Sequence, residues 1–119
     1  MESQEKSLLP QVIRTYYETE ELREEYFQLN GNKEGEYKSY HKNCNLWIIC
    51  NYVDDKRNGE RKSYYDNGNL YEIYNYVNDK YNGEYKRYYE NGNIFLICNY
   101  VDGKKMENLN IMMKMVYYG

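Results

Sequence analysis

The residues with chemistry to offer are few: one histidine (His41), three cysteines (Cys44, Cys50, Cys98), a recurring Glu–Lys pair and eighteen tyrosines. His41, Cys44 and Cys50 are close in sequence, but a zinc site needs more ligands and a Cys-x-x-Cys type spacing, which the chain lacks. No Ser–His–Asp or Cys–His order stands out, and nucleophilic catalysis needs a pocket that desolvates and orients the nucleophile. The glycines Gly59, Gly68, Gly83 and Gly92 are not followed by the Lys-Ser/Thr of a phosphate loop. The residues therefore predict no catalytic group, no cofactor and no metal, and the expectation is a protein that is not an enzyme.

What must position these residues is a repeat. The segment from Gly59 and the segment from Gly83 share 13 of 24 positions. A period of this size marks a repeat array, in which each unit buries its apolar face only against its neighbours. One period earlier, the segment from Gly35 keeps Tyr40, Asn43, Asn45, Leu46, Asn51, Tyr52, Val53 and Lys56 in register. A further period earlier, Tyr16, Tyr17, Leu22, Glu24 and Tyr26 fall on Tyr64, Tyr65, Leu70, Glu72 and Tyr74. The predicted organisation is an N-terminal arm over 1–10, units 11–34, 35–58, 59–82 and 83–106, and a closing strand within 107–119. Residues 18–28 are rich in helix formers, and propensity alone predicts a helix there. The register predicts strand–turn–strand, and tertiary context outranks propensity.

Asn67-Gly68 and Asn91-Gly92, flanked by Tyr-rich and β-branched runs, predict β-hairpins with type I′ turns. A second turn at 78–83 and its equivalent at 102–104 complete each unit. The expected fold is all-β: an elongated, single-layer antiparallel meander of about nine strands. Strands lie roughly 4.8 Å apart, so each hairpin advances the sheet by about 10 Å and the array spans roughly 40 Å. Equivalent residues then form ladders, including Tyr40, Tyr64 and Tyr88, and Tyr52, Tyr76 and Tyr100. His41 occupies the position of Tyr17, Tyr65 and Tyr89 and is a substituted rung. Cys50 and Cys98, two units apart, lie about 20 Å from each other, beyond the roughly 7 Å reach of a disulfide. Cys44 takes a turn-glycine position and is expected to be an exposed thiol.

In the strand 70–77, alternation puts Leu70, Glu72, Tyr74 and Tyr76 on one face and Tyr71, Ile73, Asn75 and Val77 on the other. The plain reading is a sheet slightly amphipathic on both sides. The sharper reading makes aromatic area an interaction surface, drawn from Tyr40, Tyr52, Tyr64, Tyr76, Tyr88, Tyr100, Trp47, Tyr71 and Phe95. Ile111, Met112, Met113 and Met115 mark an apolar edge strand through which a second copy could pair. The pairs Glu36–Lys38, Glu60–Lys62 and Glu84–Lys86 predict parallel charge ladders along one edge of the array.

Composition narrows the partners. The chain has 16 basic and 19 acidic residues, a net charge of −3. Stacked aromatics can hold single-stranded nucleic acid, but only with a basic groove, so a protein partner is expected and nucleic acid is not. No apolar run is long enough for a membrane helix. Unpaired thiols and the lack of a signal-like apolar segment in residues 1–10 point to the cytoplasm.

The pattern Gly-Glu-Tyr-Lys-x-Tyr-Tyr-x-Asn-Gly-Asn-Ile, with Asn-Tyr-Val and a second turn behind it, resembles the MORN-repeat variant family. It is carried by Gly83, Glu84, Tyr85, Lys86, Tyr88, Tyr89, Asn91, Gly92, Ile94, Tyr100 and Gly103 and by their counterparts one and two units earlier. The likeness spans residues 11–106 and departs at Glu20 and Cys44, which replace a turn glycine, and at Asp55 and Asp79. The resemblance implies an elongated hairpin array without catalytic activity, acting as a scaffold or adaptor. Similar arrays occur in giant DNA viruses and AT-rich bacteria, so a viral origin is one expectation, with the host cytoplasm as its location. Some bacterial arrays are labelled antitoxins. An immunity protein that binds and blocks a toxin is therefore the alternative function.

Overall fold

The structure, a computed structural model, describes residues 9–106. The predicted arm lies outside the described residues except for Leu9 and Pro10, as does the predicted edge strand with Ile111, Met112, Met113 and Met115.

Among the described residues, eleven antiparallel strands form one open sheet. They are β1 (Gln11–Tyr16), β2 (Leu22–Leu29), β3 (Asn32–Tyr40), β4 (Leu46–Val53), β5 (Lys56–Arg57), β6 (Gly59–Tyr64), β7 (Leu70–Val77), β8 (Lys80–Tyr81), β9 (Gly83–Tyr88), β10 (Ile94–Val101) and β11 (Lys104–Lys105). The path runs β1-β2-β3-β4-β6-β7-β9-β10-β11, with β5 on β4 and β8 on β7. Eight of the strands are the expected two per unit. The other three, β5, β8 and β11, are short pairing segments in the stretch expected as the second turn, with Asn58 and Asn82 separating β5 from β6 and β8 from β9. The expected closing strand within 107–119 lies outside the described residues. Asn58 and Asn82 still donate their backbone N–H groups to the carbonyls of Asn51 and Asn75. Residues 22–29 are strand, and no helix occurs among the described residues. The helix formers there are overruled by pairing with β1 on one side and β3 on the other.

The type I′ geometry expected at the Asn-Gly tips is not found there. At the Asn67-Gly68 tip only Gly68 has positive φ, at 93°. Tyr65 and Asn69 close a three-residue loop: Tyr65 N–H donates to Asn69 O, and Gly68 N–H donates to Tyr65 O. This is a type I turn followed by one left-handed residue, not a type I′ turn. The Asn67 side chain accepts from Asn69 N–H at 2.9 Å, and Asn43 and Asn91 repeat the bond in their own tips. The two-residue turns with both φ positive lie at the other end of the hairpins: Asn30-Gly31, Asp54-Asp55, Asn78-Asp79 and Asp102-Gly103. Asp55 and Asp79 hold this strained geometry without glycine, and each carboxylate accepts a backbone N–H from the preceding unit, Lys33 at 3.0 Å and Arg57 at 3.1 Å.

Glu20 and Cys44 adopt the left-handed conformation of the tip glycine, at φ 82° and 77°. A side chain there costs about 1 kcal/mol relative to glycine. Cys44 is exposed and its thiol unpaired, so nothing offsets that cost. Cys44→Gly is expected to raise stability by about 0.5–1 kcal/mol, read as a higher urea midpoint with an unchanged slope. An unchanged or lower midpoint would show that the tip is not strained.

The tip also shifts the register by one residue. Leu70 pairs with Tyr64 and Glu72 with Ser63, leaving Tyr71 as a bulge, and Phe95 is skipped in the same way. Directly paired residues share a face. Leu70 therefore joins Tyr64 rather than Glu72, which corrects the simple alternation through this strand.

All the described core lies on one side of the sheet, termed here the inner face. Cys50, Tyr74, Tyr76, Tyr85, Cys98, Ser39 and Ser63 are the buried residues. Tyr74, Tyr76, Tyr85 and Cys98 form one cluster, with Tyr81, Leu96 and Tyr100 packed against it. Three rows of the inner face also alternate with a period of two units, while the row of Tyr52, Tyr76 and Tyr100 does not. Positions 24, 48, 72 and 96 read Glu, Ile, Glu, Leu, positions 26, 50, 74 and 98 read Tyr, Cys, Tyr, Cys, and positions 37, 61 and 85 read Tyr, Arg, Tyr.

The first joint between units, β2 on β3, holds five residue pairs, and the two later joints are narrower. Between β4 and β6 the ladder holds two residue pairs, Ile48–Ser63 and Ile49–Lys62, and between β7 and β9 it holds Glu72–Arg87 and Ile73–Lys86. Bonds at both ends brace these joints. Tyr17 Oη donates to Tyr40 O at 2.6 Å, and Tyr65 Oη donates to Tyr88 O at 2.8 Å. At the opposite end Asp55, Asp79 and Gly103 donate N–H to Lys33, Arg57 and Tyr81 carbonyls.

Candidate interaction faces

His41 is a rung of this bracing. Its Nε2 lies 2.8 Å from Tyr64 O, where Tyr17 and Tyr65 place their hydroxyls on the equivalent carbonyls. A carbonyl oxygen only accepts, so Nε2 carries the hydrogen. The ring stacks on Trp47 at 4.9 Å. Among the described residues no group of three or more His, Cys, Asp or Glu side chains is placed to hold a metal ion.

The nine predicted surface aromatics do not form one surface. Tyr76 is only 5% exposed, a core residue, and Tyr52 and Tyr100 are half-buried on the same inner face. Tyr40, Tyr64 and Tyr88 follow the inward-facing Ser39, Ser63 and Arg87 and so face the other way, termed here the outer face. They pair with Leu46, Leu70 and Ile94, and all six are half-buried. Trp47, Tyr71 and Phe95 form a third group beside the tips. Trp47 is exposed, Tyr71 packs edge-on to Tyr65, and Phe95 packs edge-on to Tyr89. The Arg87 guanidinium lies 5.7 Å from the Tyr71 ring and 6.0 Å from the Phe95 ring.

On the outer face, three rows run across the array. The first alternates Tyr with Leu or Ile, as described. The second alternates Lys38, Ile49, Lys62, Ile73, Lys86 and Ile97 through direct pairs. The third opposes Glu36 to Asn51, Glu60 to Asn75 and Glu84 to Asn99. Each lysine bonds the glutamate two residues before it, at 3.4, 3.6 and 3.3 Å. The charge ladders thus cross a face and do not line an edge, because positions of equal parity share a face. Glu60, Ile73, Asn75, Glu84 and Lys86 border an open groove of about 210 Å³. Among the described residues no second layer covers either face.

The inner face is polar chemistry locked into packing. Glu72 lies 3.5 Å from Arg61 Nη1 and 3.8 Å from Arg87 Nε, and accepts from Tyr85 Oη and Ser63 Oγ. Arg61 Nη1 also donates to Tyr74 Oη at 2.5 Å, and Arg57 Nη1 donates to Tyr76 Oη at 2.7 Å. Two units before Glu72, Glu24 accepts from Tyr37 Oη at 2.5 Å and Thr15 Oγ1 at 2.9 Å. Burial above all pushes the Tyr37, Tyr74 and Tyr85 hydroxyls far above the ordinary tyrosine range. It also pushes the Cys50 and Cys98 thiols up. These groups stay protonated at neutral pH and offer neither a phenolate nor a thiolate nucleophile.

Glu24 goes the other way. Desolvation raises it, but the hydrogen bonds from Tyr37 and Thr15 outweigh that and hold it below the usual carboxylate range. A carboxylate depressed on folding adds stability above its unfolded value and loses it as pH falls through the folded one. Glu24→Gln is expected to cost about 1–2 kcal/mol at pH 7. The gap from the parent should close as urea unfolding is repeated from pH 5 down to pH 3. A gap independent of pH would mean that the carboxylate charge contributes nothing.

One further cluster was not anticipated. Lys33 Nζ sits over three tyrosine rings, 5.2 Å from Tyr26, 5.7 Å from Tyr37 and 5.2 Å from Tyr52. Tyr26 and Tyr37 are stacked at 5.6 Å, and Tyr52 meets Tyr37 edge-on at 6.0 Å.

A family model described as MORN repeat variant matches residues 33–54, 57–78 and 81–102, more than half of the chain and on the same 24-residue step. No curated protein and no solved structure matches the chain.

Proposed function

Because the chain belongs to the MORN repeat variant family, whose repeats are generally protein-interaction and scaffold modules, we propose that it is a non-enzymatic module binding a protein partner through the outer face of its sheet. The observation that carries this reading is the three-row pattern there. A half-exposed Tyr–Leu/Ile row runs beside lysine and glutamate rows, and each recurs every unit, about 10 Å apart. A protein partner meets apolar contact and both signs of charge at that spacing, whereas nucleic acid meets no net basic stripe. The protonated tyrosines and thiols of the inner face support a non-catalytic role. The unpaired thiols support a reducing, cytoplasmic setting. Within the same proposal, the segment with Ile111, Met112, Met113 and Met115 is a route to self-association, tested by light scattering at rising concentration.

The partner test exchanges charges without breaking the pairs. Glu36, Glu60 and Glu84 become lysine, and Lys38, Lys62 and Lys86 become glutamate, which inverts the pattern but keeps each ion pair. Partners captured by the parent protein from its native host are then measured for affinity. A loss of at least tenfold, with an unchanged circular dichroism spectrum, is the expected result. Equal affinity would remove the outer face from the interaction.

A further inference from the structure

We propose that the Tyr26–Tyr37–Tyr52 cage on the inner face is a binding site for a quaternary ammonium group, and that Lys33 is its displaceable internal occupant. The geometry is that of a cation held by ring faces: three centroids lie within 6 Å of one nitrogen. Among the described residues the Lys33 ammonium makes no ion pair and no hydrogen bond, although its backbone N–H is bound by Asp55. The two following units show the same position tied down. Arg57 bonds Asp79 at 2.8 Å and Tyr76 Oη at 2.7 Å, with its guanidinium 4.3 Å from the Tyr76 ring. Tyr81 packs against Tyr74, Tyr76, Tyr85 and Tyr100. Of the two cations at this position, Arg57 is ion-paired and Lys33 is held by rings only.

That difference decides which cation fits. A primary ammonium is a strongly hydrated charge with three N–H donors, and ring faces replace its water poorly. A quaternary ammonium has no N–H to satisfy and is weakly hydrated, so the same rings hold it at a lower desolvation cost. The cage is also held in place and carries a negative field. Tyr37 Oη is anchored on Glu24, which the hydrogen bonds it receives keep ionised. The lysine side chain can leave by rotation about its own bonds, without moving a strand. The cage lies on the opposite face from the proposed protein-binding rows, so either reading can fail alone.

The test titrates the full chain with tetramethylammonium chloride at constant ionic strength, following the tyrosine ring resonances by NMR. Saturable binding to the parent protein is expected, with a Kd at least tenfold lower in Lys33→Ala. Lys33→Ala/Tyr52→Leu should lose the gain, and Lys33→Ala/Tyr52→Phe, which keeps the ring, should retain it and controls for folding. Choline and free trimethyl-lysine, titrated in parallel, distinguish the two common carriers of this group, with unmethylated lysine as the reference. The proposal is overturned if Lys33→Ala binds no tighter than the parent. It is equally overturned if the Leu double variant binds as well as the Phe one, or if unmethylated lysine matches its trimethylated form.

Discussion

Truncating Tyr74 to alanine is expected to destabilise the protein by about 3–5 kcal/mol, the range for losing a buried aromatic side chain. Tyr74 is 6% exposed and touches Tyr81, Tyr85 and Tyr76 with ring centroids at 4.8, 5.1 and 5.4 Å. It also accepts from Arg61, whose guanidinium lies 5.3 Å from its ring. A one-layer sheet has no opposing layer that could collapse into the void, so little of the loss is recovered by relaxation. Tyr74→Phe keeps every ring contact and forfeits one hydrogen bond, about 1 kcal/mol. Urea unfolding separates the two variants. Because array stability is a sum of units and their joints, amide exchange should accelerate in β6, β7, β9 and β10 before it does in β1 and β2. A Tyr74→Ala loss under about 1 kcal/mol would mean that the tyrosine cluster is not the core.

The second large effect is expected at Glu72. Its side chain is 15% exposed and faces Arg61, 18% exposed, and Arg87, 36% exposed. Removing the carboxylate leaves two cations and the Tyr85 hydroxyl without their common acceptor. Orphaning a fully buried charge costs about 3–5 kcal/mol, and the partial exposure of Arg87 lowers the expectation for Glu72→Ala to about 2–3 kcal/mol. Arg61→Met in the same chain should recover part of it, since the second change removes one of the orphans. A double-mutant cycle reads that coupling directly. Strictly additive losses would show that the two side chains do not interact.

The architecture was legible because the 24-residue step survives wherever local signals fail. It placed residues 22–29 in a strand against their helical composition, and it put His41 on a tyrosine rung, where its Nε2 meets Tyr64 O. What escaped were features set by one residue of register. Asn-Gly occurs in more than one turn type. The choice at Asn67-Gly68 follows from the Asn67 side chain capping Asn69 N–H, a bond that pattern alone does not reveal. The bulge at Tyr71 then moved Leu70 to the other face, so a plain alternation misassigned the rows. Residue type marks an aromatic side chain but does not distinguish the buried Tyr76 from the half-buried Tyr64. The Lys33 cage needs residues from three consecutive strands, β2, β3 and β4, and appears only once their pairing is known.

The two-unit alternation of three inner-face rows sets the quantum by which such a chain can change its length and keep those rows in phase. Backbone pairing would accept an insertion or deletion of any whole 24-residue unit. The alternating rows of side chains would be put out of phase by an odd number of units. Excising residues 35–58 removes Tyr37, the phenol that Glu24 holds, and puts Arg61 at its place in the row. Excising residues 35–82 instead brings Tyr85 to that place, a phenol whose present partner, Glu72, is the counterpart of Glu24. Steps of 48 residues therefore keep the three alternating rows in phase, and steps of 24 do not.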